Sequence, residues 1–360
     1  MLISILSAQR TAMRALRLLG DWAGWSKETY LYQRVNEYRL IWERVAMAEG
    51  GTFTELASDL WQIDVGHHRV RVLNYQLEFD NPVTLGLAGR KRIVHGLLGA
   101  AGVSVPEHLA FTLETMDAAR DFVANHPLGC VIKPSGGYGG RGVTTHVQLP
   151  GEVRSASLRA SVHDPELLVE AMIPGESFRL LVLEGKVVDA VYRRGSRLTG
   201  DGVSTIRELL GAETPVDGRR RDPGLDDDRD VSFTLVAQGL TLESRLDAGR
   251  VVLYRSTDQA RKRYAEVRTV YTDSARDLIC ESIRSDAEAA ARVIGSDFLG
   301  VDVITLDPSV PLSESGGVIN EVNTTPALHH HYDMTREPYP EAAVLAIEAL
   351  LRRPSALVDS

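Results

Sequence analysis

Apolar positions along the first 85 residues follow two different periods. Over 27–48 (KETYLYQRVNEYRLIWERVAMA), Tyr30, Val35, Tyr38, Ile41, Trp42 and Val45 recur near helical spacing and predict a helix with an apolar stripe. That stripe reads either as core packing or as aromatics lining a substrate pocket. LWQIDV and RVRVLNYQLE alternate like half-buried strands, with GHH as the turn between them. The opening segment MLISILSAQRTAMRALRLLGDW sets Arg10, Arg14 and Arg17 at helical spacing after its apolar run. A secretory signal carries its charge before the apolar run, so the segment reads as an amphipathic helix, docked on the protein or lying on a membrane.

Further on, 89–102 reads as a helix closed by Gly102, and 115–125 as another, followed by a short buried strand at 129–133. From there strand and turn signals dominate to about residue 194, with RLLVLEGKVVDAV reading as a hairpin around Glu184-Gly185-Lys186. Residues 211–230 are charged in blocks and nearly devoid of large apolar side chains, the pattern of a solvated loop, whether a lid or a plain insertion. A helical stretch, strands near 250–254 and 267–271, a helix over roughly 274–294, two strands and a C-terminal helix around 340–352 follow. This order predicts an α+β fold with mixed sheets.

The chain of 360 residues is 44% hydrophobic and carries 40 Lys+Arg against 49 Asp+Glu, a net charge of −9. The length is enough for two or three domains with a cleft between them. The charge balance excludes the global basic excess that a nucleic-acid backbone attracts. No apolar run reaches the span of a bilayer, so neither nucleic acid nor a spanned membrane is an expected partner. Two cysteines, Cys130 and Cys280, suit a reducing, cytoplasmic compartment.

Three constellations carry chemistry. VIKPSGGYGGRGVTT (131–145) satisfies G-x-G-x-x-G at Gly137, Gly139 and Gly142, but the alternating VTTHVQL after it is a strand, which rules out a dinucleotide fold. It reads as a glycine-rich hairpin whose bare amides, at Gly137, Tyr138, Gly139 and Gly140, close around phosphate oxygens, with Lys133 adding a point charge. FLGVDVITLD (298–307) and GGVINEVN (316–323) read as an antiparallel pair. A register joining Leu306 to Gly317 sets Asp302 opposite Glu321, with Asn323 on the same face as Glu321. Facing carboxylates in an apolar sheet repel unless a cation neutralises them, and two carboxylates with an amide suit Mg²⁺; one carboxylate protonated or salt-bridged to an arginine is the alternative. In LLVEAMIPGESFR (167–179), Glu170 ends an apolar strand, where one acceptor between walls such as Met172 and Ile173 suits an adenine.

These pieces resemble the ATP-grasp superfamily, and most closely the carboxylate–amine ligases of the cyanophycin synthetase and glutathione synthetase type, from about Asn81 to His331. The resemblance implies two α+β lobes clamping ATP behind a small N-terminal α/β domain. It divides the chain into 1–85, a central lobe over 86–195 with the clamp loop, and a C-terminal lobe over 196–360 with the metal site. RKRIVHGLLGAAGVSVPEH and VIKPSGGYGGRGV resemble the segments bearing the two nucleotide lysines, which makes these Lys91 and Lys133. VEAMIPGESFRLLVLEGKVV resembles the hinge, with Glu170 at the adenine position and Arg179 facing substrate or phosphate. GVDVITLD with INEVNTTPALHHH matches the Mg²⁺ ligands at Asp302, Glu321 and Asn323. The ribose position holds Ser177, with Glu176 beside it. Pro326-Ala327 replaces the usual Pro-Gly, and 255–273 departs from the cyanophycin synthetase pattern. No second catalytic half follows residue 360, so cyanophycin polymerisation is not expected.

The activity so implied is ATP-dependent amide formation through an acylphosphate, between a carboxylate and an amine substrate such as an amino acid or peptide, in a homodimer. Arg179, Arg193 and Arg194 are candidates to hold the carboxylate, with one of Arg193 and Arg194 pointing inward, Arg194 in our assignment. By the resemblance the loop holding the three histidines at 329–331 faces the acceptor substrate, so a histidine there, His331 in our choice, would bind its carboxylate or take the amine proton. A zinc site is disfavoured because neighbours on an extended chain point apart. A small-molecule kinase and a non-catalytic ATP-binding module are the rival readings.

Overall fold

A computed structural model of the chain describes residues 2–22, 29–136, 141–212, 228–256, 273–331 and 341–353. In chain order the elements begin with α1 (Leu2–Trp22), α2 (Thr29–Ala48), β1 (Thr52–Ala57), β2 (Leu60–Val65), β3 (His68–Leu73), α3 (Pro82–Ala88) and α4 (Lys91–Ala100). β4 (His108–Phe111), α5 (Met116–Asn125), β5 (Cys130–Pro134), β6 (Thr144–Val147), α6 (Pro150–Ser161), β7 (Leu167–Ala171), β8 (Glu176–Leu183) and β9 (Lys186–Arg193) follow. Then come β10 (Ser196–Thr199), α7 (Ile206–Ala212), α8 (Arg229–Ala237), β11 (Val251–Arg255), β12 (Asp273–Ser274) and α9 (Glu281–Ile294). The last are β13 (Phe298–Thr305), α10 (Leu312–Ser315), β14 (Val318–Thr324), a 3₁₀ turn (Leu328–His330) and α11 (Glu341–Leu351).

The α+β class holds, but the sheets are not mixed. The strand pairings among the described residues are antiparallel throughout, in the sheets β1-β2-β3, β10-β11, β4-β7-β5-β6 and β12-β9-β8-β13-β14. The expected run of strands to residue 194 is interrupted by α6, whose inward face is Val153, Ala156, Ser157, Ala160 and Ser161. Small residues let that helix lie close on its sheet and leave no large apolar period to read. Two local expectations match. Gly102 (φ +80°) ends α4, with the Val103 amide donating to the Leu98 carbonyl and the Gly102 amide to that of Gly99. Glu184 and Gly185, both at positive φ, turn β8 into β9 as a type I′ hairpin. The core of the charged 211–230 segment and the strand expected at 267–271 lie outside the described residues.

The described part of the α2 stripe is core, and the Tyr30 side chain lies outside what is described. Tyr38, Ile41, Trp42 and Val45 pack with Trp61 of β2, Leu181 and Leu183 of β8, Phe298 of β13 and the alanine-rich face of α11. The Trp42 indole N–H donates to the Asn74 carbonyl at 2.8 Å, so this ring is a structural wedge and not a pocket wall. α1 docks elsewhere: Leu6 enters the core formed by α5, α6 and β5, and Arg10 donates to the Ser161 carbonyl at 2.9 Å. No described helix is long and apolar enough to cross a membrane.

Gly175 and α4 both connect the two larger sheets. Gly175 (φ +130°) links β7 to β8, and a Cβ there would lie 2.2 Å from the Thr305 carbonyl carbon, so only glycine permits the crossing. His95, buried on α4, bonds the Asn320 carbonyl through Nε2 at 3.1 Å and sets Nδ1 3.7 Å from Glu170 of β7. Since a carbonyl only accepts, Nε2 carries the hydrogen and Nδ1 the lone pair. Burial holds the His95 pKa below its ordinary value, outweighing the attraction of Glu170.

Two predictions follow from this packing. Trp42→Ala should cost about 3–5 kcal/mol of unfolding free energy in denaturant titration, and a loss under about 1 kcal/mol would contradict its place in the core. His95 binds a proton more readily in the unfolded chain, whose His pKa is about 6.5, so stability falls as pH drops through that value. His95→Gln should therefore lose less stability than wild type between about pH 7.5 and about pH 5.5, and equal losses would contradict a buried neutral imidazole.

Candidate active site

The five-stranded sheet has two unlike faces. Phe178, Leu180 and Val182 of β8, Ala190 and Tyr192 of β9, and Leu299, Val301 and Val303 of β13 pack against α9 in one apolar core. Alternation puts the intervening residues on the other face: Ser177 and Arg179, Asp189, Val191 and Arg193, Gly300 and Asp302, then Glu321 and Asn323, with Leu181 and Leu183 at the end that packs under α2. The polar face is thus a by-product of strands whose other side is wholly apolar.

Asp302 does pair with Glu321, as expected from the sequence, and a bulge between Asp302 and Val303 offsets the rest of β14 by one residue. Asp302 also faces Arg179 across β8–β13, and the two are joined by a bidentate pair, Nε to Oδ1 and Nη2 to Oδ2, both at 2.7 Å. Their relative exposures are 3% and 8%. Asn323 donates to Asp302 Oδ2 at 3.1 Å, and Lys91 at the start of α4 lies 3.2 Å from Glu321 Oε1. The arginine solution to the carboxylate pair is therefore the one present, with Lys91 balancing the second carboxylate. Gly300 lies beside this cluster, where a Cβ would come within 3.1 Å of Pro326 Cβ and 3.9 Å of Arg179 Cδ.

On the four-stranded sheet, Lys133 and Glu170 form a buried pair at 2.7 Å. Glu170 Oε1 has no hydrogen-bond partner and faces His95 Nδ1, which has none either. Two buried acceptors side by side call for a donor, and an exocyclic amine fits that requirement. His95 lies one helical turn from Lys91, so a single face of α4 reaches β14 twice and β7 once. That histidine was not singled out in the sequence; its spacing from Lys91 in RKRIVH is the signal that could have found it.

Other expected residues are placed differently. Arg194 is exposed and paired with Asp273 at 3.0 Å, away from the polar face, which takes Arg193 instead. Alternation along β9 decides between them. Glu176 turns from Ser177 and accepts from the Gly195 amide and from Arg197 of β10. Met172 donates its amide to the Gly129 carbonyl, and its sulfur accepts from the His146 amide, while Ile173 is half-buried beside it. Gly137, Tyr138, Gly139 and Gly140 lie outside the described residues. The loop's base is fixed by Asp164, which accepts from the Gly136 amide at 2.7 Å.

The histidines at 329–331 diverge. His329 bonds the Tyr38 hydroxyl through Nδ1 at 2.7 Å, whereas His331 Nδ1 meets Asp189 Oδ2 at 2.7 Å on β9. Among the described residues no group of three or more His, Cys, Asp or Glu side chains is arranged to hold a metal. Asp302, Glu321 and Asn323 form a set of two carboxylates and an amide. All three offer hard oxygen donors of the kind a small divalent cation takes, so their chemistry fits Mg²⁺.

No protein-family model matches the chain. It is 33% identical over 278 residues to a cyanophycin synthetase of Crocosphaera subtropica, covering 75% of this chain and 31% of that protein. A glutathione biosynthesis bifunctional protein of Enterococcus faecalis is 28% identical over 265 residues, which covers 70% of this chain and 34% of that protein. A solved bifunctional glutathione synthetase from Pasteurella multocida matches 80% of this chain and 40% of its own at 22% identity, with a TM-score of 0.44. The chain spans about a third of the length of the curated relatives it matches. Sequence identity of this extent over three quarters of the chain places it in the ATP-grasp superfamily.

Proposed function

We propose that the protein catalyses ATP-dependent amide-bond formation between a carboxylic acid and an amine, each an amino acid or small peptide, through an acylphosphate. The observation that carries this reading is the polar face of the five-stranded sheet, where Arg179, Asp302, Asn323, Glu321 and Lys91 converge in hydrogen-bond and ion-pair contact. Carboxylates are poor acyl donors, so the acid's oxygen first attacks the γ-phosphoryl group and releases ADP. The amine then displaces phosphate.

In this reading Lys133 and Lys91 hold phosphate oxygens, and the orphaned Glu170 Oε1 accepts from the adenine amino group. Arg179, with Arg193 on the same face, offers a fork for the acid's carboxylate. Mg²⁺ on Asp302, Glu321 and Asn323 would neutralise charge on the transferring phosphoryl group. Ser177, on that face as well, is the candidate for the ribose. Cys130 is buried and Cys280 half-buried, both as free thiols, which supports a reducing compartment such as the cytoplasm.

The test is ADP release from Mg·ATP against amino acids and small carboxylic acids, singly and in pairs, with mass spectrometry of each positive. A pair yielding ADP and a product lighter than its substrates by one water supports the ligase. ADP with a stable phosphorylated single substrate would make the protein a kinase instead, and tight ATP binding without turnover a binding module. Asp302→Asn and Glu321→Gln should each lower turnover by at least about 100-fold, since each removes a carboxylate that would hold Mg²⁺; Glu321→Gln should keep the fold, whereas Asp302→Asn also leaves Arg179 uncompensated and should lose about 3–5 kcal/mol of stability. Wild-type rates in either would remove the metal assignment. Glu170→Gln should raise the KM for ATP more than it lowers kcat, and an unchanged KM would move the adenine elsewhere.

A further inference from the structure

The polar face carries a second buried pair, 142 residues apart in the chain, that spacing in the sequence does not reveal. Asp189 of β9 is 5% exposed and accepts from His331 Nδ1 through one oxygen and from Arg276 Nε through the other. Arg276 in turn reaches Glu341 at the start of α11 at 3.1 Å. Burial alone would raise the Asp189 carboxyl, but His331 and Arg276 hold it below its usual value, so it is a fixed anion. The His331 side chain is fully buried, and its Nε2 has no hydrogen-bond partner. A buried nitrogen left without a partner carries a desolvation cost that a bound donor or a transferred proton would relieve.

The register locates Asp189, the residue that holds the His331 ring. Asp189 is opposite Leu181, which faces Gly300, and Arg179 is two residues along β8 from Leu181. One strand spacing and two residues put the Asp189 and Arg179 backbones roughly 8 Å apart on one face. Leu181 stands between Asp189 and Gly300 in their row and Val191 between Asp189 and Arg193 along β9, while His331 follows Pro326 on the chain segment that packs over Gly300.

We propose that His331 Nε2 takes the proton released when the amine attacks the acylphosphate, and that Asp189 is the positioning residue that fixes the Nδ1–H tautomer this requires. The proposal rests on the ligase reading. In the step, the C–N bond forms and the C–O bond to the phosphoryl group breaks. Phosphate leaves with the electron pair, and the proton shed by nitrogen passes to Nε2 and then to solvent.

The experiment separates the two half-reactions. Hydroxylamine, uncharged at neutral pH, traps an acylphosphate as a hydroxamate without a base. Wild type, Asp189→Asn and His331→Gln are given Mg·ATP and the amino-acid array, with hydroxylamine or with the second amino acid as nucleophile. The expected result is hydroxamate formation within about threefold of wild type in both variants, with amide formation down by about 100-fold or more. Long-range ¹⁵N–¹H NMR of the wild type should find the His331 proton on Nδ1, and Asp189→Asn should relax that preference while the spectrum stays folded. Equal losses with both nucleophiles, full amide formation in either variant, or a wild-type proton on Nε2 would overturn the proposal. A wild type that yields no hydroxamate with any acid would instead fail the ligase reading itself, and the proposal with it.

Discussion

An arginine and an aspartate on neighbouring strands, Arg179 and Asp302, are locked together by two 2.7 Å hydrogen bonds with almost no water at hand. Neither charge is stable there alone: removing one partner of such a buried pair costs about 3–5 kcal/mol, because the other is left uncompensated. The pair therefore ties the β8–β13 register to the electrostatics of the face. Around it the compensation extends outward, Asn323 to Asp302 and Lys91 to Glu321, so that two anions and two cations share one patch. The account rests on those partners being exchangeable: carboxylates that here face protein cations are the groups that would face a metal ion, freeing the cations for phosphate and carboxylate oxygens.

The rest of the architecture keeps that patch rigid. The opposite side of the sheet is filled by aliphatic side chains against α9, which fixes every second residue toward the site. One end of the sheet is wedged by Trp42, Trp61 and Phe298 under α2 and α11. At the other sheet, His95 and Lys91 place α4 as a strut between β7 and β14, while Gly175 allows the chain to cross at a place where any side chain would collide with Thr305. A site on strands braced from three sides is better suited to positioning than one on loops.

Much of this was legible in the sequence wherever the signal is local. The Asp302–Glu321 juxtaposition came from an antiparallel register that joins Leu306 to Gly317, although the bulge after Asp302 shifts the pairing of Val303 and Ile304 by one residue; the Gly102 cap and the Glu184-Gly185 turn came from residue type. α6 was illegible because it packs through alanines and serines, which leave no apolar period. β1 hid because it is mostly exposed and so does not alternate. The choice between Arg193 and Arg194 turned on strand parity, which a one-residue shift in the strand start reverses. Asp189 and His95 were missed because their partners lie far along the chain. Yet an aspartate inside the apolar run VVDAVYR already demands a buried partner, and that demand was the available clue.

The measurement that tests the central claim most directly is equilibrium binding of ATP with and without Mg²⁺, in wild type and in Glu321→Gln. If the facing carboxylates are where nucleotide and metal meet, Mg²⁺ tightens ATP binding to wild type by at least about tenfold, or about 1.4 kcal/mol, and this enhancement is lost in the variant. Equal affinity with and without Mg²⁺ in wild type, or an undiminished enhancement in Glu321→Gln, would contradict it and leave the patch a structural ion-pair network.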